Sequence, residues 1–135
     1  MTPVDFARSQ IGKPWKHQAR GPDFWDCAGL LTAAFAPYGI RDRLDYSRNP
    51  RNGELERVVA EQFGLPISKA QMRAGDVALL AFPTVIRHAG IVADHWCGGL
   101  SIIHTWAGGP RCVTETRLDD AWMERIRIVH RLEGV

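Results

Sequence analysis

The sequence predicts an α+β fold with an antiparallel sheet. Two observations carry this expectation. Segments with helix starts and stops fill the first half of the chain, and short, apolar, partly β-branched runs fill the second. Segregated helices and strands, rather than alternating ones, are the pattern of α+β domains. The 135 residues suit one domain around one core, so residues 1–135 are expected to fold as a single unit.

Each element has its own local signal. Thr2-Pro3-Val4-Asp5 reads as a helix start: Thr2 can cap, Pro3 suits the first turn, and Asp5 favours the positive end of the dipole. That helix is expected to run to about Ile11 and stop at Gly12, before Pro14. Residues 13–25 are loop-like, with two prolines and a glycine. Asp26 is placed to cap a second helix, about 27–38, whose apolar stripe is Leu30, Leu31, Ala34 and Phe35. Pro37 and Gly39 mark its end. Residues 40–53 are polar and irregular, and 54–64 form a short amphipathic helix closed by Gly64. Strands are expected at 75–82, 88–94, 100–106 and 125–132, with a weaker one at 112–118 and one helical turn at 118–125.

Composition excludes several function classes. The chain is 45% hydrophobic and 24% charged, with a net charge of +2. Its arginines are scattered, and no aromatic–basic repeat offers a nucleic-acid platform. No apolar run approaches the roughly 18–20 residues that cross a bilayer. The opening MTPVDFARSQ lacks a basic region followed by an apolar stretch, so it does not read as a secretory signal. Synthesis in the cytoplasm is expected, with any exit by another route. Nucleic-acid and membrane partners are not expected. Cys27, Cys97 and Cys112 are an odd, widely spaced set with no CxxC pair. A disulfide framework is not expected, and one Cys97–Cys112 bridge stays open.

Cys27 stands where loop becomes helix. A thiol in a first helical turn meets free backbone N–H groups and the positive end of the dipole, which favour thiolate. A thiol nucleophile needs a base, and the base needs an orienting partner. His88 opens one predicted strand and His104 lies in the next. A hairpin centred on Trp96 would set them directly opposite each other, with Cβ atoms roughly 5 Å apart. A slip of one residue would send them to opposite faces. The plain alternatives are a packed core cysteine and ordinary strand histidines, the class that also takes His17, His95 and His130. A metal site from His95, Cys97, His104 and Cys112 is a further alternative, although the spacings match no standard zinc pattern.

With these residues on the page, a resemblance emerges. GKPWKHQ (12–18), DCAGLL (26–31), AGDVALLAF (74–82), HAGIV (88–92) and IIHTW (102–106) stand in the order of the NlpC (p-sixty) superfamily of papain-like cysteine peptidases. The resemblance spans nearly the whole chain. It implies a papain-like fold in which a helix bearing the nucleophile packs on an antiparallel sheet. It implies Cys27 as nucleophile, His88 as general base and His104 as the orienting third member, with no cofactor and no metal. The implied reaction is hydrolysis of amide bonds in peptidoglycan stem peptides, often between D-glutamate and a diamino acid. The Pro-aromatic-x-His-Gln segment looks most like stand-alone proteins encoded among phage-tail and gene-transfer-agent genes. That would make phage-tail proteins a second class of partner and a phage-like particle the way to the wall.

Two positions depart from the family pattern. Ala28 stands where serine is common, which removes a hydroxyl but no catalytic member. Trp15 stands where tyrosine is usual, and that tyrosine's hydroxyl is linked to the oxyanion site. An indole N–H can donate, but not with a phenol's geometry, and losing one oxyanion donor costs about 100-fold or more. His17 and the Cys27 backbone N–H are candidates to compensate, and a plain packing role for Trp15 is the equal alternative. Arg20, Arg41, Arg43 and Arg48 are candidate contacts for acidic stem-peptide carboxylates. Two other functions stay open: a tail-assembly or structural component with weak or no catalysis, and a related thiol acyltransferase.

Overall fold

The structure is a computed structural model, and it describes residues 1–42 and 53–135. Most of the stretch expected to be irregular, 40–53, lies outside the described residues, as do Arg43 and Arg48.

The first two helices form where caps were legible. Helix α1 (Pro3–Ser9) starts with a reciprocal capping box: Thr2 Oγ1 accepts from the Asp5 N–H at 3.0 Å, and Asp5 accepts from the Thr2 N–H at 3.3 Å. Helix α2 (Cys27–Phe35) is capped by Asp26 and runs into a 3₁₀ turn at Ala36–Tyr38, which ends at Gly39 with φ +94°. Helix α3 (Glu54–Phe63) buries Leu55, Val59 and Phe63, an i, i+4, i+8 stripe.

The second half forms strands β1 (Pro66–Ile67), β2 (Val77–Ala81), β3 (Ile86–Asp94), β4 (Leu100–His104), β5 (Thr114–Arg117) and β6 (Ile126–His130), with helix α4 (Asp120–Arg125) before the last. They pair antiparallel in the order β1-β6-β2-β3-β4-β5. The C-terminal strand therefore enters beside β2. Buried Asp76, just before β2, holds the residue that follows β6: Arg131 donates from Nε at 2.8 Å and from Nη2 at 2.9 Å.

Strand alternation divides the core into two layers. One face carries Leu79, Ala89, Ile91 and Ile103 against Leu30, Phe35, Val59 and Phe63 of the helices. Phe35 and Phe63 meet edge to face at 5.1 Å. The other face carries Leu80, Val92, Ile102 and Ile126, covered by Met72, Phe82, Trp122 and Met123. Burial of each large apolar side chain stabilises by about 1.5–3 kcal/mol. Among the described residues no helix is long and apolar enough to cross a membrane.

The β3–β4 hairpin is offset from the expected register. Ile91 faces Ile103 and Asp94 faces Leu100, so the turn centres on Cys97 rather than Trp96. Gly98 and Gly99, at φ +98° and +75°, allow the tighter return on the β4 side. The offset is two residues, an even number, so His88 and His104 keep a common face. Continuing the ladder sets His104 across from Gly90. A Cβ on Gly90 would come within 2.6 Å of Ile102 and 3.0 Å of the His104 Cβ, so the glycine makes the room that the histidine uses.

Candidate active site

The loop before α2 is fastened to that helix by one buried carboxylate. Asp26 Oδ1 accepts from the Gly29 N–H at 2.7 Å and from Arg20 Nη1 at 3.1 Å, while Oδ2 accepts from the Gln18 N–H at 2.8 Å. Gln18 sits at φ +58°, a region a non-glycine residue enters only when its surroundings fix it. Gly29 completes the closure. A Cβ there would stand 2.1 Å from the Ala19 carbonyl oxygen. In an exposed helix interior, glycine to alanine gains about 1 kcal/mol. Here the sign reverses: Gly29→Ala is expected to lower the melting temperature, because the 16–20 loop must move off the helix. Thermal unfolding followed by circular dichroism checks this; a raised melting temperature would contradict the packing.

Cys27 opens α2, as expected, but its ionisation runs against the helix-terminus argument. The residue is half-buried, yet its thiol is dry enough that burial, followed by the neighbouring Asp26 charge, pushes it up to about 12. Backbone N–H groups of Ala89 and Ala28 donate to the sulfur and oppose the shift without reversing it. The magnitudes explain the outcome: a helix terminus contributes about 0.3–1 kcal/mol, less than one pH unit of ionisation. Asp26→Asn should therefore shift Cys27 alkylation to lower pH by removing the adjacent charge. It should also cost stability, since an amide cannot accept from both Gly29 and Gln18. Mass-spectrometric alkylation rates across pH, with Cys97 as internal reference, measure the first effect.

The two histidines are brought together. His88 Nε2 and His104 Nδ1 are 2.7 Å apart, and His104 Nε2 lies 2.8 Å from Thr116 Oγ1 on β5. Both rings are buried. Burial, and then His104, holds His88 well below the usual imidazole range; burial lowers His104 to about 4. A bulge on β3 precedes the pair: Leu80 faces His88 but Ala81 faces Ile86, so Arg87 is extra. Such bulges re-aim the next side chain. Trp106 stacks on His88 at 5.0 Å, and Trp122 meets His104 edge-on at 5.3 Å. One nitrogen of this line, His88 Nδ1, is buried with no hydrogen-bond partner among the described residues. Cys27 approaches the same strand through Ala89, the residue after His88.

The other candidates separate. Trp15 is half-buried; its backbone N–H donates to the Arg111 carbonyl at 2.8 Å, and the Arg111 guanidinium lies 5.6 Å over its ring. His17 precedes Gln18 in the loop that Asp26 fastens. Arg20 is committed to Asp26 and Asp42 rather than free for a substrate carboxylate, and Arg41 is exposed. Among the described residues no three His, Cys, Asp or Glu side chains gather as a metal site. Both nitrogens of His104 are already engaged. His95 Nδ1 accepts from the Cys97 N–H at 3.1 Å, and all three cysteines are free thiols.

A thiol at a helix start, lying against a sheet that carries a hydrogen-bonded imidazole pair, is an arrangement suited to thiol-based acyl chemistry. The sequence profile of the NlpC/P60 family matches residues 12–131, and the chain belongs to that family. A probable endopeptidase of Corynebacterium glutamicum is 34% identical over 92 residues, which cover 68% of this chain and 38% of that protein; a second strain's probable endopeptidase gives the same identity. The match thus spans well under half the length of these relatives. Among solved structures, the NlpC/p60 domain of the peptidoglycan hydrolase SagA superposes with a TM-score of 0.67 at 21% identity, covering 97% of both chains. NlpC1 from Trichomonas vaginalis gives 0.66 at 17% identity, covering 96% of this chain and 42% of that one. These likenesses establish the papain-like α+β fold.

Thr116 and the triple role of Asp26 were not found from sequence. Thr116 lies in the weakest strand signal, and only long-range pairing carries it to His104. The reason for Gly29 depends on a backbone contact with Ala19 that no local pattern encodes.

Proposed function

We propose that the chain is a cysteine peptidase hydrolysing amide bonds of peptidoglycan stem peptides, with Cys27 as nucleophile, His88 as general base and His104 as its orienting partner. The observation that supports this most is the hydrogen-bonded line Thr116–His104–His88, which ends at an imidazole nitrogen with no hydrogen-bond partner among the described residues. If His104 Nε2–H donates to Thr116 Oγ1, then His104 Nδ1 accepts from His88 Nε2–H, and the lone pair of His88 is left at Nδ1. That is the tautomer a base requires.

The resting pair is neutral on both sides, given the directions of the Cys27 and His88 shifts. Proton transfer from Sγ to His88 Nδ1 then accompanies attack on the substrate carbonyl, and the new C–S bond leaves an oxyanion. The Cys27 backbone N–H, in the first turn and without an intrahelical acceptor, is placed to receive that charge. His88 returns its proton to the departing amine as the C–N bond breaks. Water, deprotonated by His88, then cleaves the thioester and restores the thiol.

The test is cleavage of purified muropeptides, read by mass spectrometry, for wild type and Cys27→Ala. Products from wild type alone support the reading, and equal cleavage by both removes it. A second reading, a phage-tail component with weak catalysis, is favoured by Trp15 in the usual tyrosine position beneath Arg111. It predicts that Cys27→Ala still co-purifies with tail proteins, while Trp15→Tyr raises any hydrolysis.

A further inference from the structure

A cleft of about 450 Å³ opens on the sheet face that carries the histidines. His104 and Thr116 form its floor, Phe82, Trp106 and Trp122 its walls, and Arg125 its end. The guanidinium of Arg125 lies 4.5 Å over the Phe82 ring and 5.9 Å over the Trp122 ring. Among the described residues it forms no hydrogen bond and no ion pair, although it carries five donors. The aromatic faces fix its plane and leave its edge for an acceptor. Trp106 adds an indole N–H that is buried with no hydrogen-bond partner among the described residues. Asp119 also borders the cleft, but its Oδ1 accepts from the Trp122 N–H at 2.9 Å and it does not pair with Arg125. Its negative charge biases an incoming anion towards the Arg125 end.

We propose that this cleft is a substrate subsite that takes a carboxylate-bearing residue of the peptide, with Arg125 binding the carboxylate and Trp106 and Trp122 the carbon stem beside it. This rests on the peptidase reading and deepens it. A fixed, unpaired guanidinium matches a carboxylate through two parallel N–H···O bonds. A neutral sugar would use the rings and leave the cation unsatisfied. Contact with His104 puts the bound carboxylate beside the proposed machinery, so occupancy would register the substrate.

The experiment uses synthetic stem peptides in pairs, identical except that one free carboxylate is a carboxamide, each carboxylate in turn. With wild type, one replacement should lower kcat/KM by about 10- to 100-fold, chiefly through KM, as expected for a lost charge-assisted pair. Arg125→Gln should cleave the acid peptide more slowly by a similar factor and no longer distinguish acid from amide. Wild type indifferent to every replacement, or Arg125→Gln keeping the preference, would overturn the subsite and leave the peptidase reading standing. If no peptide is cleaved, the peptidase reading fails instead, and binding still decides the subsite. The same pairs are titrated into Cys27→Ala protein with ¹⁵N-labelled indoles. Shifts of the Trp106 and Trp122 signals by the acid but not the amide, lost in Arg125→Gln, support the carboxylate site; equal shifts, or none, overturn it.

Discussion

Replacing His88 by alanine is expected to lower kcat/KM on stem peptides by about 10²–10⁴-fold, the range of a lost general base. The effect should appear in kcat, because a general base acts in the transition state rather than in substrate binding. Thr116→Val should give a smaller loss, since it keeps the imidazole pair but removes the acceptor that fixes its tautomer. Thr116→Ser should restore most of that loss by returning the hydroxyl. Steady-state kinetics on one defined peptide orders the series. Activity of His88→Ala within a few-fold of wild type would exclude His88 as the base.

Mild acid is expected to destabilise the fold well before the carboxylates titrate. Burial lowers His88, His104 and His130 below the ordinary imidazole value in the folded chain. Below about pH 6.5 the unfolded chain takes up protons that these rings refuse. More protons are then bound unfolded than folded, so stability falls as pH falls, until each folded value is reached; for His104 that is about 4. A ring in this window contributes a slope of about 1.4 kcal/mol per pH unit, so His104 alone gives about 2 kcal/mol between pH 7 and pH 5, and His88 adds in the same direction. That is a large share of a typical domain stability of about 5–15 kcal/mol. Glu115, lowered by Arg8, adds in the same direction at lower pH. Urea unfolding at the two pH values measures the drop. An unchanged midpoint would mean that the imidazoles are not held neutral inside.

What the sequence made legible, and what it hid, follows the range of the interactions. The starts of α1 and α2 were readable because Thr2 and Asp26 cap within three residues of themselves. Strands β2 to β6 were readable from short apolar or β-branched runs, while the two-residue β1 was not. Entry of β6 between β1 and β2 was not, since strand order is set by contacts far apart in sequence. The shared face of His88 and His104 was anticipated through a register two residues off; the Gly98-Gly99 turn absorbed the difference without changing the face. The ionisation of Cys27 was misjudged for a similar reason. The helix terminus is visible locally, while the burial that outweighs it is tertiary. The aromatic cleft drew on Phe82, Trp106 and Trp122, which look like separate core residues when read along the chain.

The Asp26 carboxylate beside Cys27 has a consequence for chemical durability. Peroxides and disulfides react with thiolate rather than thiol, so burial, joined by the charge that fastens the loop, keeps the sulfur in its inert form between turnovers. Oxidative damage should then fall first on exposed Cys97 at the hairpin tip, which touches neither histidine. The proposed nucleophile is protected because burial keeps it protonated, and it gives up that protection only when a carbonyl carbon arrives to receive the electron pair.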